Sequence, residues 1–198
     1  MVIAITGGFC TGKSEVARIF RKFGAKIIDL DKLAHLTLKP RTESFKKIVR
    51  AFGRDILTNG RINRLLLAKK VFGNRKKLNK LNSIIHPVVI KEMNDLIKKF
   101  HKECPVIIAE VPLLFEAGLN DYFDYVIVVN AGKKTQIKRA AAKTNLSKTD
   151  ILKRIKSQWP IERKIKLADS TIDNNGSIGN TRRQAKNIFE NLKKELFM

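Results

Sequence analysis

The sequence predicts an α/β protein built on a parallel β-sheet of about five strands flanked by helices. Three observations carry this. Short apolar or β-branched runs recur along the chain: Val2-Ile3-Ala4-Ile5, Lys26-Ile27-Ile28-Asp29, Pro105-Val106-Ile107-Ile108-Ala109, Tyr125 to Val129 and Ser170 to Asp173. Wholly apolar runs of that length suit strands buried on both faces. Segments with apolar residues at helical spacing separate them, the alternation that parallel sheets require. A glycine-rich turn joins the first strand to the first helix.

Each element has its own warrant. The opening strand stops at Thr6-Gly7-Gly8. Val16, Ile19, Phe20 and Phe23 then mark one helical face, and Gly24 stands where that helix would end. Lys26 to Asp29 completes a βαβ unit. More than 70 residues separate Asp31 from the next clear strand. Between them, Phe45, Ile48, Val49 and Phe52 mark a helix ending near Gly53, and Thr58-Asn59-Gly60 a turn. Ile62, Leu65, Leu66 and Lys69 to Phe72 suggest a second helix. Pro87 suits the first turn of a third, with Val89, Met93, Leu96, Ile97 and Phe100 on one face. After the strand at 125–129, Gln136 to Thr144 reads as helix. Ser147-Lys148-Thr149-Asp150 reads as a capping box opening another, which runs to about Ser157. Trp159-Pro160 interrupts it. Asn174-Asn175-Gly176 turns into a C-terminal amphipathic helix carrying Ala185, Ile188, Phe189, Leu192 and Leu196.

Composition narrows the class. The 198 residues are 43% hydrophobic and 30% charged, enough for one packed domain and its insertions and unlike a disordered chain. Two cysteines cannot make a disulfide scaffold or a four-ligand zinc site, and their scarcity suits a reducing compartment. No apolar run approaches the roughly 18 residues of a membrane span, and Val2–Ile5 is too short for a secretory signal. The expectation is a soluble, cytoplasmic protein with no membrane partner. A net charge of +23 attracts anions without choosing among nucleic acid, anionic membrane and phosphorylated metabolites. Residues 61–102 carry 12 Lys and Arg against two acids, and residues 133–166 the same, so the charge concentrates in those segments.

One motif carries chemistry. Gly7-Gly8-Phe9-Cys10-Thr11-Gly12-Lys13-Ser14 fits G-x-x-x-x-G-K-[ST]. Glycines let the backbone curl around a phosphate, and loop N–H groups with the following helix N-terminus face the anion. Lys13 would reach the β- and γ-phosphates of ATP, and Ser14 would bind Mg²⁺. Chance gives this pattern in on the order of one chain in a hundred of this length, and here it lies between a strand and a helix, as it must. Asp29 and Asp31 stand at the end of the second strand, where open α/β sheets place their ligands. If that strand continues, both point to one side. Asp31 alternatively caps the next helix.

The ordered set of motifs resembles the dephospho-CoA kinase family. The resemblance rests on Ile5-Thr6-Gly7-Gly8 with Gly12-Lys13-Ser14, Asp29-Leu30-Asp31, Phe52-Gly53, Gly60-Arg61-Ile62-Asn63-Arg64, Val71-Phe72 and Ile85-His86-Pro87. The most specific block is Glu110-Val111-Pro112-Leu113-Leu114-Phe115-Glu116-Ala117-Gly118-Leu119. Phe123 to Val126, Gln136 with Arg139, Arg154 to Gln158, Ala168-Asp169 and Ile172-Asp173-Asn174 follow in family order. The resemblance implies a P-loop kinase fold. Its nucleotide-binding core would be residues 1–35, 104–132 and 168–198, with a helical CoA-binding insertion at 36–103 and a small helical lid at 133–167. It implies ATP-dependent phosphorylation of the ribose 3′-hydroxyl of dephospho-CoA, giving coenzyme A and ADP, with ATP and Mg²⁺ as cofactors.

It also implies residue roles. Asp31 is the base, with Lys13 and Arg139 beside it in catalysis. Gly8, Cys10, Thr11, Gly12, Lys13, Ser14, Glu15, Arg139, Lys143 and Asn174 bind ATP. Asp31, Arg64, His86, Leu113 and Glu116 bind the acceptor. Ser14 holds Mg²⁺, with Asp31 or Glu110 acting through water. Arg139 and Lys143, four apart on one helical face, are expected to close over the phosphates. The sequence departs from the family at Cys10 (usually Gly), Glu15 (Thr), Asn63 (acidic), Glu110 (Asp) and Lys143 (Arg). Cys10 fits without a clash if its φ is negative, and its thiol would expose the loop to oxidation.

Other residues have plainer readings. Arg64 is either a phosphate ligand or a solvated helix residue. His35 and His101 are surface residues, Trp159 packs rather than stacking on adenine, and Cys104 is a buried or edge residue of no chemical importance. The rivals are another nucleoside- or nucleotide-type P-loop kinase and a nucleic-acid-binding P-loop protein. No nucleic-acid module supports the latter, so no specific nucleic-acid partner is expected. A monomer is favoured.

Overall fold

The computed structural model describes residues 1–71 and 73–197; Phe72 of the Val71-Phe72 pair lies outside them. The chain forms two compact units, Met1–Asp29 with Lys99–Met198, and Leu30–Lys98.

The first unit holds a parallel five-stranded sheet. Its strands are β1 (Val2–Gly7), β2 (Lys26–Asp29), β5 (Ile107–Glu110), β6 (Tyr125–Asn130) and β7 (Ser170–Asp173), in the order β2-β5-β1-β6-β7. Every residue of the central β1 is buried, because helices cover both faces. One face packs on α1 (Lys13–Lys22) and α9 (Ile178–Phe197), joining Ile3, Ile5, Ile108, Ile127 and Val129 to Phe20 and Phe189. Phe20, Phe23 and Phe189 meet at 5.7–6.5 Å between ring centres. Gly24, at φ +100°, lets the chain leave α1 for β2. Parallel register aligns the strand ends: Ile5 and Asp29 both sit opposite Glu110. The three strands therefore deliver their C-terminal loops to one edge, where ligands of such sheets bind.

Three further helices follow β6: α6 (Lys133–Lys143), α7 (Lys148–Lys156) and α8 (Ile161–Ile165). Ser147 caps α7, its Oγ accepting from the Asp150 amide at 3.1 Å and donating to the Asp150 carboxylate at 2.6 Å. Asp150 thus closes the box on the Ser hydroxyl instead of the Ser amide.

The second unit comprises α2 (Leu30–Thr37), α3 (Glu43–Phe52), a hairpin of β3 (Leu57–Thr58) and β4 (Arg61–Ile62), α4 (Arg64–Val71) and most of α5 (Arg75–His101). Ile48, Phe52, Ile56, Leu67, Val71 and Leu81 form its core. Three local expectations are corrected here. The second strand stops at Asp29 and α2 starts at Leu30, so Asp31 is an exposed residue of a helix's first turn and not a strand residue. Ile62 belongs to a hairpin: Asn59 and Gly60 take φ +50° and +72°, the left-handed pair of a tight two-residue turn. Pro87 lies inside a 27-residue helix. Its ring removes the amide that Ser83 would bond, a cost of ~3 kcal/mol. Burial of Leu81 on one side of the proline and of Val89 and Met93 on the other outweighs it.

Candidate active site around the glycine-rich loop

The loop after β1 is shaped by two glycines. Gly7, at φ +148°, lies so close to β6 that a Cβ would stand 2.2 Å from the Val129 carbonyl oxygen. Gly12, at φ +100°, is the residue before α1, and a Cβ there would stand 2.2 Å from Asn174 Nδ2. Neither position tolerates a side chain. Lys13 is nearly buried and reaches back across the loop, donating from Nζ to the Gly8 carbonyl at 2.8 Å. Buried Thr11 donates to the same carbonyl at 3.1 Å. Ser14 is exposed and its hydroxyl donates to Glu110 Oε1 at the end of β5. Glu15, in the first turn of α1, pairs with Arg18 at 2.7 Å on the surface.

Cys10 departs from expectation. Its φ is +55°, the left-handed region that a side chain adopts at a cost of about 1–2 kcal/mol. Loop closure imposes this conformation. Burial pushes its thiol above the ordinary value, although Lys13, Lys143, Arg139 and Arg154 all pull the other way. The thiol therefore stays protonated at neutral pH and is a weak nucleophile, contrary to the oxidation-sensitive residue anticipated. The same four cations place a concentrated positive field at the loop.

A polar brace holds the loop from behind. Arg139 of α6 donates to the Thr11 carbonyl at 2.9 Å and the Asn174 carbonyl at 2.8 Å. Asn174 is 4% exposed. Its Nδ2 donates to the Thr11 carbonyl at 2.8 Å, and its Oδ1 accepts from Thr181 at 2.8 Å. The resemblance makes both residues ATP ligands; here these groups bond the loop itself. Nothing in the sequence context of Thr181 separates it from an ordinary helix residue. Lys143 is exposed at the end of α6. The Arg154 guanidinium carbon lies 5.7 Å from the centre of the Phe9 ring.

Glu116 serves the interior. Its carboxylate lies 2.7 Å from the Nζ of Lys164, which is 0% exposed, in a close ionic contact, and accepts from the Trp159 amide at 2.9 Å. Trp159 stacks on Phe115 with Arg163 over it at 3.6 Å. The Pro-Leu-Leu-Phe-Glu block thereby anchors α8. Leu113 remains 47% exposed.

In the helical unit, Arg64 donates to His35 Nε2 at 2.6 Å. A guanidinium has no acceptor, so that ring nitrogen carries no proton. The pair lines a cavity of about 570 Å³ with Leu38, Lys39, Arg61 and Ile62. His86 sits half-buried in α5, and burial lowers its pKa, holding it neutral. No helix among the described residues is long and apolar enough to cross a membrane.

Known proteins decide the family. The dephospho-CoA kinase family model matches residues 1–180. The chain belongs to the dephospho-CoA kinase family. A dephospho-CoA kinase from Carboxydothermus hydrogenoformans is 43% identical over 194 residues, covering 97% of this chain and 94% of that protein. A solved structure from Thermus thermophilus superposes with TM-score 0.86 at 31% identity, covering 97% of each chain. The dephospho-CoA kinase from Campylobacter jejuni gives TM-score 0.71 at 28% identity, covering 98% of each chain. Membership in this family makes the chain an ATP-using phosphotransferase of coenzyme A synthesis on a P-loop kinase fold.

Proposed function

We propose that the protein transfers the γ-phosphoryl group of ATP to the ribose 3′-hydroxyl of dephospho-CoA, with Mg²⁺, in the cytoplasm and as a monomer. The observation that carries this is the loop: glycine-shaped, braced, and presenting Lys13 and Ser14 within a chain that matches the family over residues 1–180. Both substrates are polyanions, and the +23 charge suits them. Both cysteines are free thiols, as suits a reducing compartment.

Phosphoryl transfer demands positioning and charge neutralisation more than covalent help from the protein. The amides from Gly8 to Ser14, including those of Cys10, Thr11 and Gly12, wrap the β-phosphate at the N-terminus of α1. Glu15 contributes through its backbone, since its carboxylate is engaged with Arg18. Lys13 exchanges the Gly8 carbonyl for phosphate oxygens. Arg139 acts through the brace, and Lys143 adds charge. The Ser14 hydroxyl and Glu110 carboxylate are hard oxygen donors already in contact, which fits Mg²⁺, an ion that takes few protein ligands and keeps waters. Held there, Mg²⁺ would neutralise phosphate charge, and Asp31 would act on it only through water. Asp31 accepts the proton of the attacking 3′-hydroxyl. Arg64 and His86, with Leu113, contact the acceptor, and the Arg64–His35 cavity suits its phosphates and apolar arm. Glu116, held by Lys164 and the Trp159 amide, is the acceptor contact carried by the sheet unit.

The test is ADP release from Mg²⁺-ATP with and without dephospho-CoA, on wild type and Asp31→Asn. Acceptor-dependent turnover, with coenzyme A identified by mass, supports the reading, and its loss in the variant supports Asp31 as base. ATP-binding protein that shows no acceptor-dependent turnover overturns the substrate.

A further inference from the structure

The carboxamide of Asn174 has two ends of nearly the same shape, and the end that faces the loop decides whether it supports the loop. The Thr11 carbonyl can only accept, so the supporting end is Nδ2, which donates to it at 2.8 Å. The other end, Oδ1, accepts from the Thr181 hydroxyl at 2.8 Å. Asn174 and Thr181 are 4% and 0% exposed, so this amide settles its bonds inside the protein. Thr181 lies near the start of α9, next after the residues 1–180 that the family model matches.

The plain role for a threonine there is local, a bond back to its own helix. That bond exists, to the Ser177 carbonyl, but it is 3.3 Å long. A hydroxyl has one proton to give, and the 2.8 Å contact with Asn174 has the stronger claim on it. The backbone of Asn174 is already fixed: its amide donates to the Asn130 carbonyl at 2.8 Å, and its carbonyl accepts from Arg139 at 2.8 Å. The rotation of its side chain is what remains for Thr181 to set. Without the hydroxyl, Oδ1 is a buried acceptor that has lost its donor. The carboxamide then gains by turning to another donor. That turn takes Nδ2 off the Thr11 carbonyl, directly beside Gly12 at the head of α1.

We propose that Thr181 is a positioning residue for nucleotide binding, its hydroxyl orienting the Asn174 carboxamide that holds the Thr11 carbonyl and with it the phosphate-binding loop. Thr181 touches no substrate and exchanges no atoms. Its role rests on the phosphoryl-transfer reading above only through the loop, not through the acceptor. The loop holds phosphates both before and during transfer, so the loss belongs in nucleotide affinity more than in kcat. Orientation needs the hydroxyl, whereas packing needs the methyl. The two can therefore be removed separately.

The experiment compares Thr181→Val, Thr181→Ser, Asn174→Ala, the Thr181→Val/Asn174→Ala double variant and wild type, as full chains. It reads calorimetric binding of ATP and ADP, steady-state kinetics and melting temperature. Thr181→Val keeps the shape and removes the donor. It should weaken ATP and ADP alike by about three- to tenfold, the worth of one hydrogen bond, and raise the KM for ATP more than it lowers kcat. Thr181→Ser keeps the donor and loses the methyl. It should bind both nucleotides within about twofold of wild type although its melting temperature falls. The double variant should bind ATP no more weakly than Asn174→Ala alone, because Thr181 acts through that side chain. A merely structural residue gives the opposite pattern: affinity follows melting temperature across the variants, and the losses add in the double variant. Thr181→Val binding ATP within about twofold of wild type overturns the proposal. So does Thr181→Ser losing as much affinity as Thr181→Val, and so do additive losses. Wild type that binds ATP but shows no turnover with dephospho-CoA overturns the acceptor alone, and the binding comparison still decides Thr181. Wild type that binds no nucleotide overturns both.

Discussion

The nucleotide-loop unit and the helical unit are stabilised in different ways. Behind the loop, polar side chains hold groups distant in sequence: Asn174 and Arg139 both reach the Thr11 carbonyl, and the Lys164 ammonium closes on the Glu116 carboxylate. Each bond has one correct partner at one distance. The helical unit relies on Ile48, Phe52, Ile56, Leu67 and Val71, whose contacts are non-directional. Directional bonds fix a shape to fractions of an ångström, which catalysis needs. Apolar packing fixes a volume and tolerates exchange. The difference teaches that a small alteration in the first region should damage function before stability, and the reverse in the second.

The largest expected effect exploits the buried ion pair. Glu116→Gln leaves the Lys164 ammonium uncompensated at zero exposure and should cost about 3–5 kcal/mol in urea unfolding. A loss under 1 kcal/mol would show that the pair is dispensable.

The next pair sharpens the contrast directly. Ile48→Ala in the helical core should cost about 2–5 kcal/mol with ATP affinity unchanged. Asn174→Ala removes buried bonds to Thr11 and Thr181. It should cost only about 1–3 kcal/mol but weaken ATP binding severalfold. Calorimetry of both variants checks this, and equal ATP affinity in the two would erase the distinction.

Smaller is Cys10→Gly. It relieves a left-handed conformation worth about 1–2 kcal/mol against about 0.5–1 kcal/mol of added chain entropy in the unfolded state. The melting temperature should hold or rise slightly; a clear fall would mean that the thiol's packing outweighs its strain.

The smallest is a pH effect. The folded pKa of His86 lies below its unfolded value of about 6.5. The unfolded chain therefore binds more protons as pH falls through that value, and stability drops. Melting temperatures between pH 7.5 and 5.5 should fall more steeply in wild type than in His86→Gln.

The sheet was largely legible in the sequence because its strands are short apolar runs set between glycine turns. Lys26–Asp29 and Ser170–Asp173 match the strands residue for residue. The loop was legible because its motif is contiguous: Gly7 and Gly12, both at positive φ, stand at fixed spacing before Lys13 and Ser14. What was not legible depends on distant partners. Asn174 reads locally as a turn residue, and only its bond to Thr11, 163 positions away, shows it as a support. Pro87 misled because local propensity argues for a helix start, and burial on both sides of it overrode that argument. Cys10 gave no sign of its φ, since backbone conformation inside a loop is set by closure and not by residue type.

The bracing of the loop has a consequence for biogenesis. The phosphate-binding turn leaves the ribosome well before its supports at Arg139, Asn174 and Thr181, which lie about 130 to 170 residues further along the chain. A nascent chain halted before residue 174 carries the whole nucleotide signature and lacks the scaffolding that gives it form. Competence to handle ATP is therefore acquired only once residue 181 has been made.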